Sequence, residues 1–341
     1  MTSGKDPMLN LDPHLYASAD VFHRERERIF ATTWQLLGPA SRLSEPGSYV
    51  AAEIAGLKIF LLRGRDGILR GFRNVCRHRG ARLLPEGTGR CGPIRCPYHN
   101  WAYGDRGELL TAPWFGEDPS FRKDDWPLHE IAAREWRGLV FAAVAPAQTL
   151  EAQLGELIGE LADEPIEHYA VVAEERMTFD ANWKIYTDNF VEGYHIPGIH
   201  PAFFAAIDFE QFKTTAHEGF IRMTAPPREG LFYRGKWLWM WPNWTLSLFS
   251  GGMNTSRINP LDHQRTELIY NFYFADTSAA AEAARRDTIE RNLAVVREDF
   301  EICIETHKNY ATRAYDAGPL SPRHEAGVHY FQSRIGAALG P

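Results

Sequence analysis

Two short stretches decide how this 341-residue chain is read: Asn74-Val-Cys-Arg-His-Arg-Gly-Ala-Arg-Leu83 and Cys96-Pro-Tyr-His-Asn-Trp-Ala-Tyr-Gly-Asp-Arg-Gly-Glu-Leu109. Each pairs a cysteine with a histidine, Cys76 with His78 and Cys96 with His99, and seventeen residues separate the pairs. Two thiolates and two imidazoles converging from two loops suit zinc, or a [2Fe–2S] cluster with histidines on one iron. The chain has four cysteines, Cys76, Cys91, Cys96 and Cys303, and three lie in this segment. In a reducing compartment such a cluster reads as metal binding rather than as a disulfide frame. Cys91 fits no ligand position and reads as a plain loop thiol.

Outward from these loops the texture is that of a small β domain. Tyr49–Ala52, Lys58–Leu62 and Leu139–Val144 are short β-type runs between Gly, Pro and Asp turn signals. Gly87-Thr-Gly-Arg-Cys-Gly92 satisfies G-x-G-x-x-G, but Pro93 and Cys96 follow where a dinucleotide site needs a helix, so a flexible loop is expected. Residues 18–34 read as a helix with Val21, Phe22, Ile29 and Phe30 on one face.

Beyond residue 146 the pattern turns to helices and longer strands. Residues 149–162 look helical, and a second helix runs from Asn182 to Ile196, stopped by Pro197. Phe220–Thr224, Trp237–Trp241, Thr245–Phe249 and Leu268–Phe274 read as antiparallel strands, and a helix from Ala279 to Tyr310 follows. The expected class is α+β: an N-terminal helical extension (1–37), a small all-β domain (38–146), and a domain (147–341) with a long C-terminal helix across a curved sheet.

In the second domain, Glu192 and His195 stand three apart, and the turn after Pro197 lets His200 fold back towards His195. Two imidazoles and one carboxylate with open positions make a facial triad for iron(II). A histidine pair at a helix end, with no metal, is the plain alternative. On the long helix Ile289, Leu293, Val296, Phe300, Cys303 and His307 form the inward face, and Asp299 shares it. Glu298, Glu301 and Glu305 are expected to project outward, and Asp188 reads as a solvated or supporting acid. Trp237, Trp239 and Trp241 alternate onto one sheet face beside Trp244, as core packing or as an aromatic cage for an alkylammonium group.

The two loops, followed by Gly138-Leu-Val-Phe-Ala-Ala-Val144, resemble the Rieske domain of ring-hydroxylating and related oxygenases. Asn182-Trp-Lys, Asp188-Asn-Phe-Val-Glu-Gly-Tyr-His195 and His200-Pro resemble the iron-binding helix of the same enzymes. Arg297-Glu-Asp-Phe-Glu-Ile-Cys303 resembles their segment bearing the ligand aspartate. The resemblance implies a Rieske [2Fe–2S] domain joined to a helix-grip, START-like catalytic domain. Cys76 and Cys96 would bind one cluster iron, and His78 and His99 the other. His195, His200 and Asp299 would hold a mononuclear Fe(II). Glu192 would be the carboxylate linking a Rieske histidine to the iron-ligand histidine, and Asn189 a supporting asparagine. Glu at the Glu192 position is similar to relatives acting on carnitine- and betaine-like substrates. The family has Gly where this chain has Asn100, a departure expected to crowd the turn.

By that resemblance the protein is a terminal oxygenase fed with NADH electrons by a separate reductase, directly or through a ferredoxin. It would use O2 to hydroxylate or oxidatively demethylate a small amine or quaternary ammonium compound, as a homotrimer in which one subunit's cluster serves its neighbour's iron. Hydroxylation of an aromatic acid or ring also fits. Two other classes stay open on the residues, a Rieske electron carrier and a zinc-stapled binding module. A net charge of -7 argues against nucleic acid or an anionic membrane as partner. With no apolar leader, and with Gly138–Pro146 as the longest apolar run, a cytoplasmic location is expected.

Overall fold

The computed structural model describes residues 8–228 and 233–340. They form two compact units, one of residues 30–150, the other of residues up to Ile29 together with Glu151 onward. The division thus falls at Phe30 and Leu150, against the seams read at 37/38 and 146/147. The N-terminal helix belongs with the second unit and not to a separate extension.

Residues 30–150 are all β. Seven antiparallel strands run in the order Gln35–Pro39, Leu139–Ala143, Glu130–Trp136, Leu69–Arg73, Leu57–Arg63, Ser48–Ile54 and Gly87–Arg90. A three-stranded sheet, Ile94–Arg95, Ala102–Tyr103 and Leu109–Thr111, carries the second metal loop. The glycine-rich segment is a strand, not a flexible loop: Gly87 to Arg90 pair with Ala51 to Ser48. Cys91 continues from it, donating its N–H to Gly47 O at 2.9 Å. With the edge of Ser48–Ile54 open, pairing satisfies the backbone groups that a loop would leave to water.

The second unit is a seven-stranded antiparallel sheet in the order Ala170–Phe179, Thr266–Phe274, Gly252–Pro260, Trp244–Phe249, Tyr233–Met240, Phe220–Thr224 and Lys213–His217. Ala170–Phe179, the earliest of these strands in the chain, pairs with Thr266–Phe274, the latest, and the rest form a meander. One helix, Glu282–Ala311, runs thirty residues and buries Asn292, Leu293, Val296, Asp299, Cys303 and His307. That is nearly the face the periodicity gives, with Asn292 added and with Phe300 and Ile289 only half-buried. The fold is therefore α+β, an all-β domain followed by a helix-grip domain.

The N-terminal helix Ala19–Glu25 is held to the helix Trp183–Phe190 by a buried ion pair. Lys184 Nζ lies 2.5 Å from Glu25 Oε1, and Trp183 Nε1 donates to Glu25 Oε2 at 2.9 Å. Both charged side chains are buried, so losing either partner would strand a charge at a cost of about 3–5 kcal/mol.

The helix expected over 182–196 is shorter. It spans Trp183–Phe190, and a second begins at Ile196. The cause is local: the Glu192 carboxylate accepts from the backbone N–H groups of Tyr194 and His195, taking amides that a continuous helix would use. Pro197 then sits in the first turn of Ile196–Ile199, where its missing N–H costs nothing, instead of stopping a helix.

Candidate metal centres

The two Cys–His loops are near copies in backbone. In the first, Cys76 N donates to Ala81 O at 2.8 Å and Gly80 N to Cys76 O at 3.0 Å. In the second, Cys96 N donates to Trp101 O at 2.7 Å and Asn100 N to Cys96 O at 3.1 Å. The fourth residue after each cysteine is left-handed, Gly80 at φ +74° and Asn100 at +59°. Asparagine is among the few side chains that accept this conformation readily. Asn100 therefore closes the turn where crowding was expected.

Both thiols are buried, and both imidazoles are half-exposed. The rings of His78 and His99 lie 4.6 Å apart, and His78 stacks on Trp101 at 4.8 Å. Tyr103 Oη sits 3.3 Å from Cys76 Sγ and accepts from Arg77 N at 3.1 Å. Burial, helped by His99 and Arg79, lowers the His78 pKa, favouring the neutral imidazole that a metal requires. Its Nδ1 is buried without a protein partner. An orphaned ring nitrogen beside two buried thiols fits a cluster with cysteines on the inner iron and histidines on the outer one.

In the second unit, ligand atoms of His195, His200 and Asp299 all lie within 4.8 Å of one another. Asp299 Oδ1 is 2.9 Å from His200 Nε2 and 3.8 Å from His195 Nε2, yet receives no well-directed hydrogen bond. Each histidine uses its other nitrogen on a carboxylate: His195 Nδ1 meets Glu192 Oε1 at 2.5 Å, and His200 Nδ1 meets Glu298 Oε2 at 2.6 Å. That arrangement fixes the tautomer, turns both Nε2 atoms inward and raises their basicity. Burial opposes a charged His200, but the Asp299 and Glu298 carboxylates beside its two ring nitrogens outweigh it and raise its pKa. A divalent cation answers the same negative surroundings, so the donor set fits non-haem iron.

Glu298 corrects the outward placement read from the helix. Its side chain is 43% exposed, yet it reaches the back of His200. Asp188 corrects the solvated reading. The residue is half-buried with its Oδ1 closed off from solvent, and its Oδ2 accepts from Tyr16 Oη at 2.6 Å and Gln332 Nε2 at 3.1 Å, so it is the supporting acid of the two readings. Burial raises its pKa to about 7 against the pull of those bonds and of Lys184.

A cavity of about 80 Å³ opens beside the triad. Asn189 and Glu192 line it, as do Phe203, Tyr233 and Trp237. Trp239 and Trp241 do not. They pack on Phe331 at 5.3 and 6.5 Å, and Trp241 also takes Arg334 over its ring at 4.7 Å.

Sequence profiles agree with the two halves. Residues 33–122 match the Rieske [2Fe-2S] domain. Residues 166–340, just over half of the chain, match the catalytic domain of the ring hydroxylating alpha subunit. The chain belongs to the Rieske-type non-haem iron oxygenases. This oxygenase is 30% identical to the carnitine monooxygenase oxygenase subunit of Acinetobacter pittii, over 94% of this chain and 92% of the relative. It is 26% identical to the chloroplastic choline monooxygenase of Amaranthus tricolor, over 93% and 74%. A crystal structure of the quaternary ammonium Rieske monooxygenase CntA with L-carnitine superposes with a TM-score of 0.87 at 28% identity, covering 98% and 97% of the chains. The cofactors of this oxygenase class are a Rieske cluster and a mononuclear iron. No helix among the described residues is long and apolar enough to cross a membrane.

Proposed function

We propose that this oxygenase monooxygenates a small quaternary ammonium or related amine, with Cys76, Cys96, His78 and His99 holding the cluster and His195, His200 and Asp299 the iron. The observation that carries the iron assignment is the pair of histidines whose Nδ1 atoms sit on Glu192 and Glu298 while their Nε2 atoms converge on Asp299. The carnitine and choline monooxygenases among its relatives support the substrate class.

When bound, the cluster supplies single electrons and the iron(II) binds and activates O2. The protein's part is placement. Glu192 and Glu298 hold the two imidazoles in one orientation, with both rings at the cavity wall beside Asp299, where they would hold the iron. Phe203, Tyr233 and Trp237 line that cavity, exclude water and press the substrate's alkyl groups towards the triad. In the net reaction, one oxygen atom enters a substrate C–H bond and the other leaves as water. The two electrons come from NADH through a partner reductase, and two protons come from solvent.

Glu192 also has the chemistry to join two imidazole N–H donors, one on His195 and one on a Rieske histidine of a neighbouring subunit. The solved structure of a quaternary ammonium Rieske monooxygenase gives insight into inter-subunit electron transfer in that protein. A closed ring, a homotrimer, is the assembly that gives every subunit such a neighbour. Two thiolates kept for a cluster, with none of the four cysteines in a disulfide, suit a reducing cytoplasm. Co-assembled Cys76→Ser and His195→Ala chains, each inactive alone, should then regain part of the activity. No product from verified mixed oligomers would place both centres in one chain's service.

The reaction is tested with isotopically labelled O2, reductase and NADH. Monooxygenation puts one labelled atom into product. Two labelled atoms would replace this reading with dioxygenation of a ring or aromatic acid.

A further inference from the structure

The cavity beside the triad has a chemical character that narrows its ligand beyond the ammonium class, and the inference rests on that class. Three aromatic rings form a corner. Phe203 and Tyr233 stand at 72° with centroids 6.0 Å apart, Phe203 and Trp237 at 88° and 5.4 Å, and Tyr233 and Trp237 at 65° and 5.3 Å. Mutually steep rings present π faces in different directions, which suits a rounded cation better than a flat ring.

Charge points the same way. Glu192 and Asp299 line the cavity, and among its described lining residues there is no Lys or Arg. Residues 229–232, outside the described set, carry no basic side chain in sequence. The hydroxyls of Tyr186 and Tyr270 face each other at 3.4 Å. An iron(II) held by the triad would be outweighed by the three carboxylates of Asp299, Glu192 and Glu298, and with no Lys or Arg in the described lining a ligand carboxylate away from the metal would be desolvated with only neutral donors to answer it, which is unfavourable.

Asn292 supplies a polar atom with no partner of its own. Asn292 lines the cavity, donates through Nδ2 to Tyr233 Oη, and has its buried Oδ1 without a protein partner. A buried acceptor left unpaired is costly, and a ligand donor would satisfy it.

We propose that the cavity takes a compact alkylammonium that carries a hydroxyl or N–H donor and no carboxylate, its alkyl shell in the Phe203, Tyr233 and Trp237 corner and its donor on Asn292 Oδ1. The carnitine-type anionic tail would be selected against.

The test is calorimetric binding to the iron- and cluster-loaded protein, using choline, ethyltrimethylammonium, 3,3-dimethylbutan-1-ol, L-carnitine and gamma-butyrobetaine. Choline should bind at least about tenfold tighter than its uncharged isostere 3,3-dimethylbutan-1-ol and about tenfold tighter than either carboxylate-bearing ligand. It should also bind several-fold tighter than ethyltrimethylammonium, which lacks the hydroxyl. Phe203→Leu should shrink the advantage of choline over the isostere. Equal or tighter binding of L-carnitine or gamma-butyrobetaine would overturn this inference and leave the ammonium reading standing. Binding of the isostere as tight as choline, or of none of the five, would overturn both. Parity between choline and ethyltrimethylammonium would remove the role given to Asn292.

Discussion

Glu298 Oε2 lies 2.6 Å from His200 Nδ1, and this contact gives His200 the same carboxylate backing that Glu192 gives His195. His200 is buried, so without Glu298 its Nδ1–H would lose its acceptor and the ring its fixed orientation.

Glu298→Ala should therefore weaken mononuclear iron binding by about 10–100-fold while the cluster spectrum stays intact. Glu298→Gln, which keeps an acceptor oxygen but not the charge, should fall between. Iron titration of metal-stripped protein reads both. Wild-type affinity in Glu298→Ala would show that the contact does not hold the ligand.

Glu192→Gln should keep cluster and iron yet lose turnover by about 100-fold or more, because an amide cannot accept from two imidazole N–H donors as a carboxylate does. The readout is a single turnover of pre-reduced protein with substrate, following cluster oxidation and product together. Wild-type rates of both would remove the coupling role.

Asp188 gives a pH dependence with a definite sign. Its pKa rises from 3.8 to about 7 on folding because the group is buried. Between those values the folded protein holds a proton that the unfolded chain has released. Its contribution is thus fully present below about pH 4 and is lost as pH rises through 7. The facing groups are Tyr16, Gln332, Tyr310, Glu325 and Lys184, and only Lys184 favours the ionised form by charge. Asp188→Asn keeps an oxygen for Tyr16 and Gln332 and cannot titrate. Its urea midpoint should fall less steeply from pH 5 to 7.5 than that of wild type, by up to about 1.4 kcal/mol per pH unit. Parallel profiles for the two proteins would show that Asp188 does not take up this proton.

The residues proposed to hold metal were the most legible in sequence. Metal coordination demands fixed residue types at short spacings, so Cys76, His78, Cys96 and His99 announce their loops, and a 3.6-residue period puts Asp299 on the buried face. What escaped depends on distance in the chain or on reach. Asp188 is held by Tyr16 and Gln332, 172 and 144 residues away, and no local pattern contains them. Glu298 sits on the outer edge of its helix by phase, but a long side chain bends back to His200. The helix after Asn182 breaks because one carboxylate, Glu192, captures two amides, and helix propensity says nothing of that competition. In the tryptophan run, alternation gave the shared face but could not tell the cavity end at Trp237 from the core beneath Phe331.

The central claim is that one chain carries two independent metal centres, and the most direct measurement is iron and acid-labile sulfide per chain in three proteins. Wild type should hold about three iron atoms and about two sulfides. Asp299→Ala should lose one iron and keep the sulfide and the Rieske absorption. Glu301→Ala, changed on the exposed side of the same helix, should match wild type. Zinc in place of cluster iron, or loss of cluster and iron together in Asp299→Ala while Glu301→Ala stays intact, would contradict the account.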